Sequence, residues 1–302
     1  MLRFNVILLV LIMGISIHSL YGQTPPKKFK LALVQMNVVG GDSKANLTHA
    51  REMIDKAAAN KANVILLPEA MDLGWTDPSA LTDAQPIPDG QTSQLLMGLA
   101  KKHSVYICSG LIEQDGEKVY NSAILIDPEG EIILTHRKIN ELDIGHPYYD
   151  LGDKLNVCHT EYGTFGLLIC ADANAQDHVL TRSLAYMGAD VILSPSSWAV
   201  PPDHDNAKDP YGSLWEEAYI PVAKDFAVWI ASTSNVGKMT AGPWKNWNGI
   251  GCSMVVNPKG QVVMKGPYGA AADTILYVDI TPVPRPAQGT KWHEYWNSGK
   301  KQ

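Results

Sequence analysis

The sequence predicts a layered α/β fold in which helices cover sheets. Three observations lead there. Short apolar runs alternate with stretches whose apolar residues recur at helical spacing. The second half of the chain repeats the rhythm of the first. Two turn tetrads, Asp127-Pro128-Glu129-Gly130 and Asn257-Pro258-Lys259-Gly260, each sit between strand-like runs.

In chain order, 30–36 (KLALVQM) reads as a strand. Leu47, Ala50, Met53, Ile54, Ala57 and Ala58 share one face, so 44–60 reads as an amphipathic helix. The run 64–67, stopped by Pro68, fits a buried strand. Residues 92–102 repeat the helix pattern and 105–109 the strand pattern. Strands 121–126 and 131–135 flank the first tetrad as an antiparallel pair. In the second half, 166–169 is a strand. Leu180, Leu184 and Met187 mark a helix that Gly188 can cap. A strand at 191–193, a helix through Leu214, Ala218, Tyr219 and Val222, and a strand at 227–231 follow. Strands 252–256 and 261–265 flank the second tetrad, and 274–280 is a final strand. No linker or compositional break divides 30–285. The expectation is therefore one domain, 29–285, followed by a surface tail, 286–302.

The N-terminus reads as an address. Arg3 precedes an apolar run, 6–17, and then the polar, small-residue segment His18-Ser19-Leu20-Tyr21-Gly22. This is the pattern of a secretory signal peptide, 1–22, with 23–28 as a linker. The expected location is exported, periplasmic or secreted, with no stable membrane insertion after cleavage. The remaining composition excludes other classes. Hydrophobic residues make up 45% of the 302 and charged residues 19%, so global disorder is excluded. With 25 Lys+Arg against 31 Asp+Glu, no basic footprint for nucleic acid exists. Polytopic membrane proteins are excluded by the lack of further long apolar runs. Four cysteines do not make a disulfide scaffold, and at most one bridge forms if Cys170 stays free.

Three residues carry candidate chemistry. Cys170 follows strand 166–169 and precedes a predicted helix, a place where backbone N–H groups stabilise a thiolate or an oxyanion. Its thiol is expected to have a depressed pKa. Glu69 stands directly after 64–68, poised for the partial burial that suits a general base. Lys138 ends His136-Arg137-Lys138. Taken singly, each has a plain structural reading: a core thiol, a solvated carboxylate, a surface basic cluster.

Taken together they are specific. Leu67-Pro68-Glu69, His136-Arg137-Lys138 and Gly166-Leu167-Leu168-Ile169-Cys170-Ala171-Asp172 occur in that order, each at a strand end. They resemble the three signature blocks of the nitrilase, or carbon–nitrogen hydrolase, superfamily. Tyr120-Asn121-Ser122-Ala123 with the first tetrad, Gly188-Ala189-Asp190-Val191-Ile192-Leu193 with Trp198, Ser234-Asn235-Val236-Gly237 and the second tetrad resemble further landmarks. The likeness covers about 30–280.

The resemblance implies a four-layer αββα sandwich with no metal and no organic cofactor. It implies hydrolysis of non-peptide C–N bonds in a small-molecule amide, nitrile or carbamoyl substrate, with amidase as the first reading. Cys170 would attack, Glu69 would take its proton and later activate water, and Lys138 with the backbone N–H of Ala171 would stabilise developing charge. A homodimer or higher homo-oligomer is implied as well. Many members carry a second glutamate between the lysine and the cysteine. Here Glu141 and His146 are the two candidates, Glu141 lying close in sequence to Lys138. Trp75 and Trp198 are candidate pocket residues, Asp172 a candidate for orienting the nucleophile turn, and Trp244 and Trp247 candidates for a lid or a subunit contact. The alternative is a catalytically altered relative that binds small amides or acts as an oligomeric structural protein.

Overall fold

Alternation of buried side chains builds the first sheet. The structure, a computed structural model, describes residues 26–286, 288, 289, 292 and 294. The segment 1–22, the start of the linker and most of the tail lie outside the described residues. In chain order the elements of the first half are β1 (Phe29–Gln35), α1 (Ser43–Ala59), β2 (Val64–Leu66), α2 (Ala80–Asp83), α3 (Gln91–His103), β3 (Tyr106–Asp115), β4 (Lys118–Ile126) and β5 (Ile132–Arg137). The second half adds β6 (Val157–Thr160), β7 (Gly163–Leu167), α4 (Val179–Met187), β8 (Val191–Ser196), β9 (Ala199–Val200), α5 (Ser213–Phe226) and β10 (Trp229–Ser234). It closes with β11 (Val236–Lys238), β12 (Asn248–Ile250), β13 (Met254–Val256), β14 (Val262–Lys265) and β15 (Thr274–Ile280).

Twelve of the strands pair into two six-stranded sheets, ordered β15-β1-β2-β3-β4-β5 and β14-β13-β10-β8-β7-β6, and the other three form a small sheet ordered β11-β12-β9. Each has a parallel centre, β1-β2-β3 in one and β7-β8-β10 in the other, extended by an antiparallel hairpin. Parallel centres buried on both faces explain the fully apolar runs in the sequence. In the first sheet Leu31, Leu33, Val64 and Leu66 point into the cluster shared with the second sheet, where Phe29 lies 5.8 Å from Phe165. Their neighbours Ala32, Val34 and Ile65 face the opposite way, against Leu47, Met53 and Ile54 of α1 and Leu96 and Leu99 of α3. Helices α4 and α5 cover the second sheet. The result is the expected αββα sandwich, in which a residue leaving either sheet can meet one leaving the other.

The turn residues act as their chemistry requires. Asp127 Oδ1 accepts from the N–H groups of Glu129 and Glu131, and Asn257 Oδ1 from those of Lys259 and Gln261. Asp42 caps α1 by accepting from Ala45 N–H, and Gly188 caps α4 at φ 109°. Several details differ from expectation: α2, β6, β9, β11 and β12 were not expected, and the strand expected over 227–231 is β10, Trp229–Ser234. The strand expected from residue 252 starts at Met254, because Gly251 and Cys252 take φ of 65° and 60°. The helix expected straight after Cys170 is a single 3₁₀ turn, Cys170–Asn174, and α4 begins only at Val179. All four cysteines are free.

Candidate active site

Glu69 is delivered by a sharp exit from β2. The chain reverses at Ala70, which takes φ 46°, and the Glu69 N–H donates across to the Ser196 carbonyl at the end of β8. The neighbouring strand β3 supplies Gly110. A Cβ at that position would lie 2.5 Å from Glu69 Cα and 2.8 Å from the Pro68 carbonyl oxygen, so only glycine lets the backbones approach this closely. The Glu69 side chain is 1% exposed.

Lys138 follows β5, and its N–H donates to the Asn121 carbonyl on β4. Its ammonium lies 2.8 Å from Glu69 Oε1 and 2.8 Å from Glu141 Oε1. Asn121 ties the two carboxylates together, donating to Glu69 Oε1 at 2.7 Å and to Glu141 Oε2 at 3.1 Å. Glu69 Oε2 is buried without a partner. One ammonium and one amide thus bridge the two carboxylates, and Glu141 also accepts from the Leu142 N–H at Oε1 and from the Trp75 indole N–H at Oε2.

Cys170 stands at φ 45°, a left-handed conformation that costs about 1–3 kcal/mol for a residue with a side chain. Asp172 holds the turn. Its Oδ2 accepts from Ile169 N–H at 2.9 Å and lies 2.7 Å from His136 Nε2, while Oδ1 accepts from the N–H groups of Ile139 and Asn140. This carboxylate thus fastens the Cys170 turn to the segment carrying Lys138. Burial works against its charge, but His136 and these N–H groups outweigh that and hold Asp172 below the usual range.

The electrostatics of the other groups follow from burial. Burial pushes the Glu69 carboxyl above the ordinary range. Lys138 pulls it back, Glu141 adds to the rise, and the net direction is up. Burial also opposes the Lys138 charge, yet Glu69 and Glu141 outweigh it and hold the ammonium well above an ordinary lysine. For Cys170, burial and then the Glu69 charge push the thiol up, against Lys138 and the Ser197 N–H. The expected depression of the Cys170 pKa is thus corrected. No long helix starts at the cysteine, and the one ammonium is already shared by two carboxylates.

Glu69, Lys138, Cys170 and Ala171 all line one cavity of about 260 Å³, together with both expected aromatic residues, Trp75 and Trp198. Trp244 also lines it, from the loop between β11 and β12, and packs against Trp75 and Trp247 at centroid distances of 4.8 and 4.5 Å. Of the two candidates for the second acidic position, Glu141 joins the cluster. His146 is exposed, beyond the short turn Asp143–Gly145 and outside the cavity lining. Sequence reasoning gave no role to Asn121, although a polar residue inside an apolar strand is a usable signal. It also missed Tyr211, Leu214 and Trp215, which reach the cavity from α5 and the segment before it.

Residues 30–284 match the carbon-nitrogen hydrolase family, and the chain belongs to it. Similar proteins include the omega-amidase NIT2 of Danio rerio, 31% identical over 267 residues, covering 84% of this chain and 88% of that one. A nitrilase of Pyrococcus abyssi is 30% identical over 247 residues, covering 78% and 83%. Among solved structures, yeast Nit3, a member of branch 10 of the nitrilase superfamily, superimposes with TM-score 0.71 at 25% identity, covering 86% and 93%. The protein is a hydrolase of non-peptide carbon–nitrogen bonds. The exported location read from the N-terminus does not stand. The match to the family and to the omega-amidases rests on 30–284, and the segment 1–22 that carried the exported reading lies outside the described residues.

Proposed function

We propose that the protein is an amidase that hydrolyses small amides through a thioester on Cys170. The observation carrying this reading is that Lys138 bridges Glu69 and Glu141 in a cavity that Cys170 also lines. The amide carbonyl carbon meets Cys170 Sγ. Glu69 takes the thiol proton as the C–S bond forms, which removes the need for a resting thiolate. Lys138 has three N–H donors and uses two on the carboxylates, so the third, with the Ala171 N–H, meets the developing oxyanion. Glu69 passes its proton to the amide nitrogen, the C–N bond breaks and ammonia leaves. Water then enters, Glu69 takes one of its protons, and the oxygen attacks the thioester. The C–S bond breaks, Cys170 recovers its proton and the acid is released. Glu141 acts by positioning Lys138 and balancing its charge.

A panel of amides, nitriles and carbamoyl compounds tests the reading, with intact mass recorded during turnover. Amides should be hydrolysed and should leave a transient acyl adduct that Cys170→Ala cannot form. Turnover of nitriles alone, or full activity in Cys170→Ala, would overturn it.

A homo-oligomer is proposed on a separate observation. Val179, Tyr186 and Met187 of α4 are 50%, 60% and 45% exposed, an apolar face of the kind that subunits cover. Light scattering at micromolar concentration should give a multiple of the chain mass, and a stable monomer would refute it.

A further inference from the structure

We infer that the cavity selects amides with an uncharged, apolar acyl group and rejects those that carry a carboxylate. The inference rests on the amidase reading and narrows its substrate class. Two independent features carry it.

The first is charge. Among the described residues, Glu69 and Lys138 are the only charged side chains lining the cavity. Lys138 already donates to Glu69 and Glu141, so two carboxylates face one ammonium. An incoming carboxylate would be buried beside this surplus of negative charge with no cation of its own. The remaining polar groups of the lining, the Asn174 and Ser197 side chains, the Tyr211 phenol and the Trp198 indole N–H, which is buried without a partner, are neutral and supply no counter-charge. Burial keeps that phenol protonated.

The second is the character of the walls. Trp198 stacks on Trp215 at 4.5 Å and 19°, and Trp75 packs on Trp244 at 4.8 Å, with Leu214 beside them in the same lining. Rings held against one another lose little freedom when a ligand arrives, and they offer flat apolar surface to an acyl chain or ring. The volume of about 260 Å³ lies below the usual range of about 300–1,000 Å³ for ligand pockets, so the acyl group is small.

The test compares 4-methylpentanamide with succinamate, which has the same skeleton with a carboxylate in place of the isopropyl end, and adds 3-phenylpropanamide. Wild-type kcat/KM should be at least about 100-fold lower for succinamate, as expected for an uncompensated buried charge. Leu214→Arg supplies a cation from a side chain that is 55% exposed, and should narrow the gap by about tenfold or more. Calorimetry on Cys170→Ala gives a readout without turnover. The two neutral amides should bind and succinamate should not. Equal turnover or equal binding of succinamate overturns the selectivity and leaves the amidase reading intact. No turnover of any amide, with binding of the neutral pair alone, removes the amidase reading and leaves the cavity's preference standing. No turnover and no binding removes both.

Discussion

Glu141 places Oε1 2.8 Å from the ammonium of Lys138, three residues before it in the chain. Proximity in sequence is what makes the contact work. The chain turns after β5, so the two side chains re-enter the site from one short segment, and Glu141 Oε1 also accepts the N–H of Leu142. Gly145 leaves room for the carboxylate, since a Cβ there would lie 2.7 Å from Glu141 Cγ. The Trp75 ring, 5.5 Å from Lys138 Nζ, closes another side of the ammonium.

The pair separates Glu141 from His146 in kinetics. Glu141→Gln keeps the shape but removes a charge that holds Lys138, so kcat should fall by about 10²-fold, in line with loss of electrostatic stabilisation at an oxyanion site. His146→Ala should change kcat/KM by less than about threefold, because its side chain is exposed and does not line the cavity. Steady-state kinetics with one neutral amide checks both. A deep loss in His146→Ala would reverse the assignment.

Two glycines should act as positioning devices. Gly110→Ala forces the Glu69 backbone away, and Gly145→Ala presses on the Glu141 side chain. Overpacking of this kind costs typically about 1–3 kcal/mol. Both variants should lower Tm and kcat, with Gly110→Ala the more severe because backbone atoms, not a side chain, must move. Differential scanning calorimetry beside kinetics would show it, and unchanged kcat in Gly110→Ala would contradict the placement of Glu69.

Cys170 should alkylate as a buried thiol. Burial and the Glu69 charge both raise its pKa. Iodoacetamide should therefore react slowly at neutral pH, and the rate should climb into the alkaline range. A plateau between pH 5 and 7, measured by mass spectrometry of the Cys170 peptide, would show a preformed thiolate and return the cysteine to the depressed value expected from sequence.

Glu69 sets a trade between stability and activity. Its folded pKa lies above the unfolded value of about 4.3. Its contribution to stability is therefore present below about pH 4.3 and is lost as pH rises through the raised folded value. Glu69→Gln removes that loss, so its Tm should exceed that of the wild type near neutral pH and the difference should vanish in acid. The same variant should lose about 10²–10⁴ in kcat as a missing general base. In the wild type, kcat/KM should fall in acid with an apparent pKa above that of an ordinary glutamate. Thermal melts from pH 4 to 8 and a pH–rate profile check the two halves separately, and a wild type more stable than Glu69→Gln at pH 7.5 would show that the ionised carboxylate is compensated.

Much of this protein is legible in its sequence because the relevant signals are local. Residues 64–66 form a strand for reasons contained within a few positions: apolar side chains, and a proline shortly after to stop the run. Asp127 and Asn257 form turns with N–H groups two and four residues away. Glu69, Lys138 and Cys170 announce themselves by standing just past such strands. The choice between Glu141 and His146 was decided only in three dimensions, because it depends on which side chain the turn after β5 sends inward. Asn121 acquires its role only once β4 lies beside β3 and β5, where it reaches Glu69 across 52 residues of sequence. The state of Cys170 was decided the same way. Its pKa sums the dielectric and charges of segments brought together from both sheets, and no window of sequence around residue 170 contains them. Local backbone preference is written within a turn or two of chain, whereas burial and electrostatic potential are properties of the assembled interior.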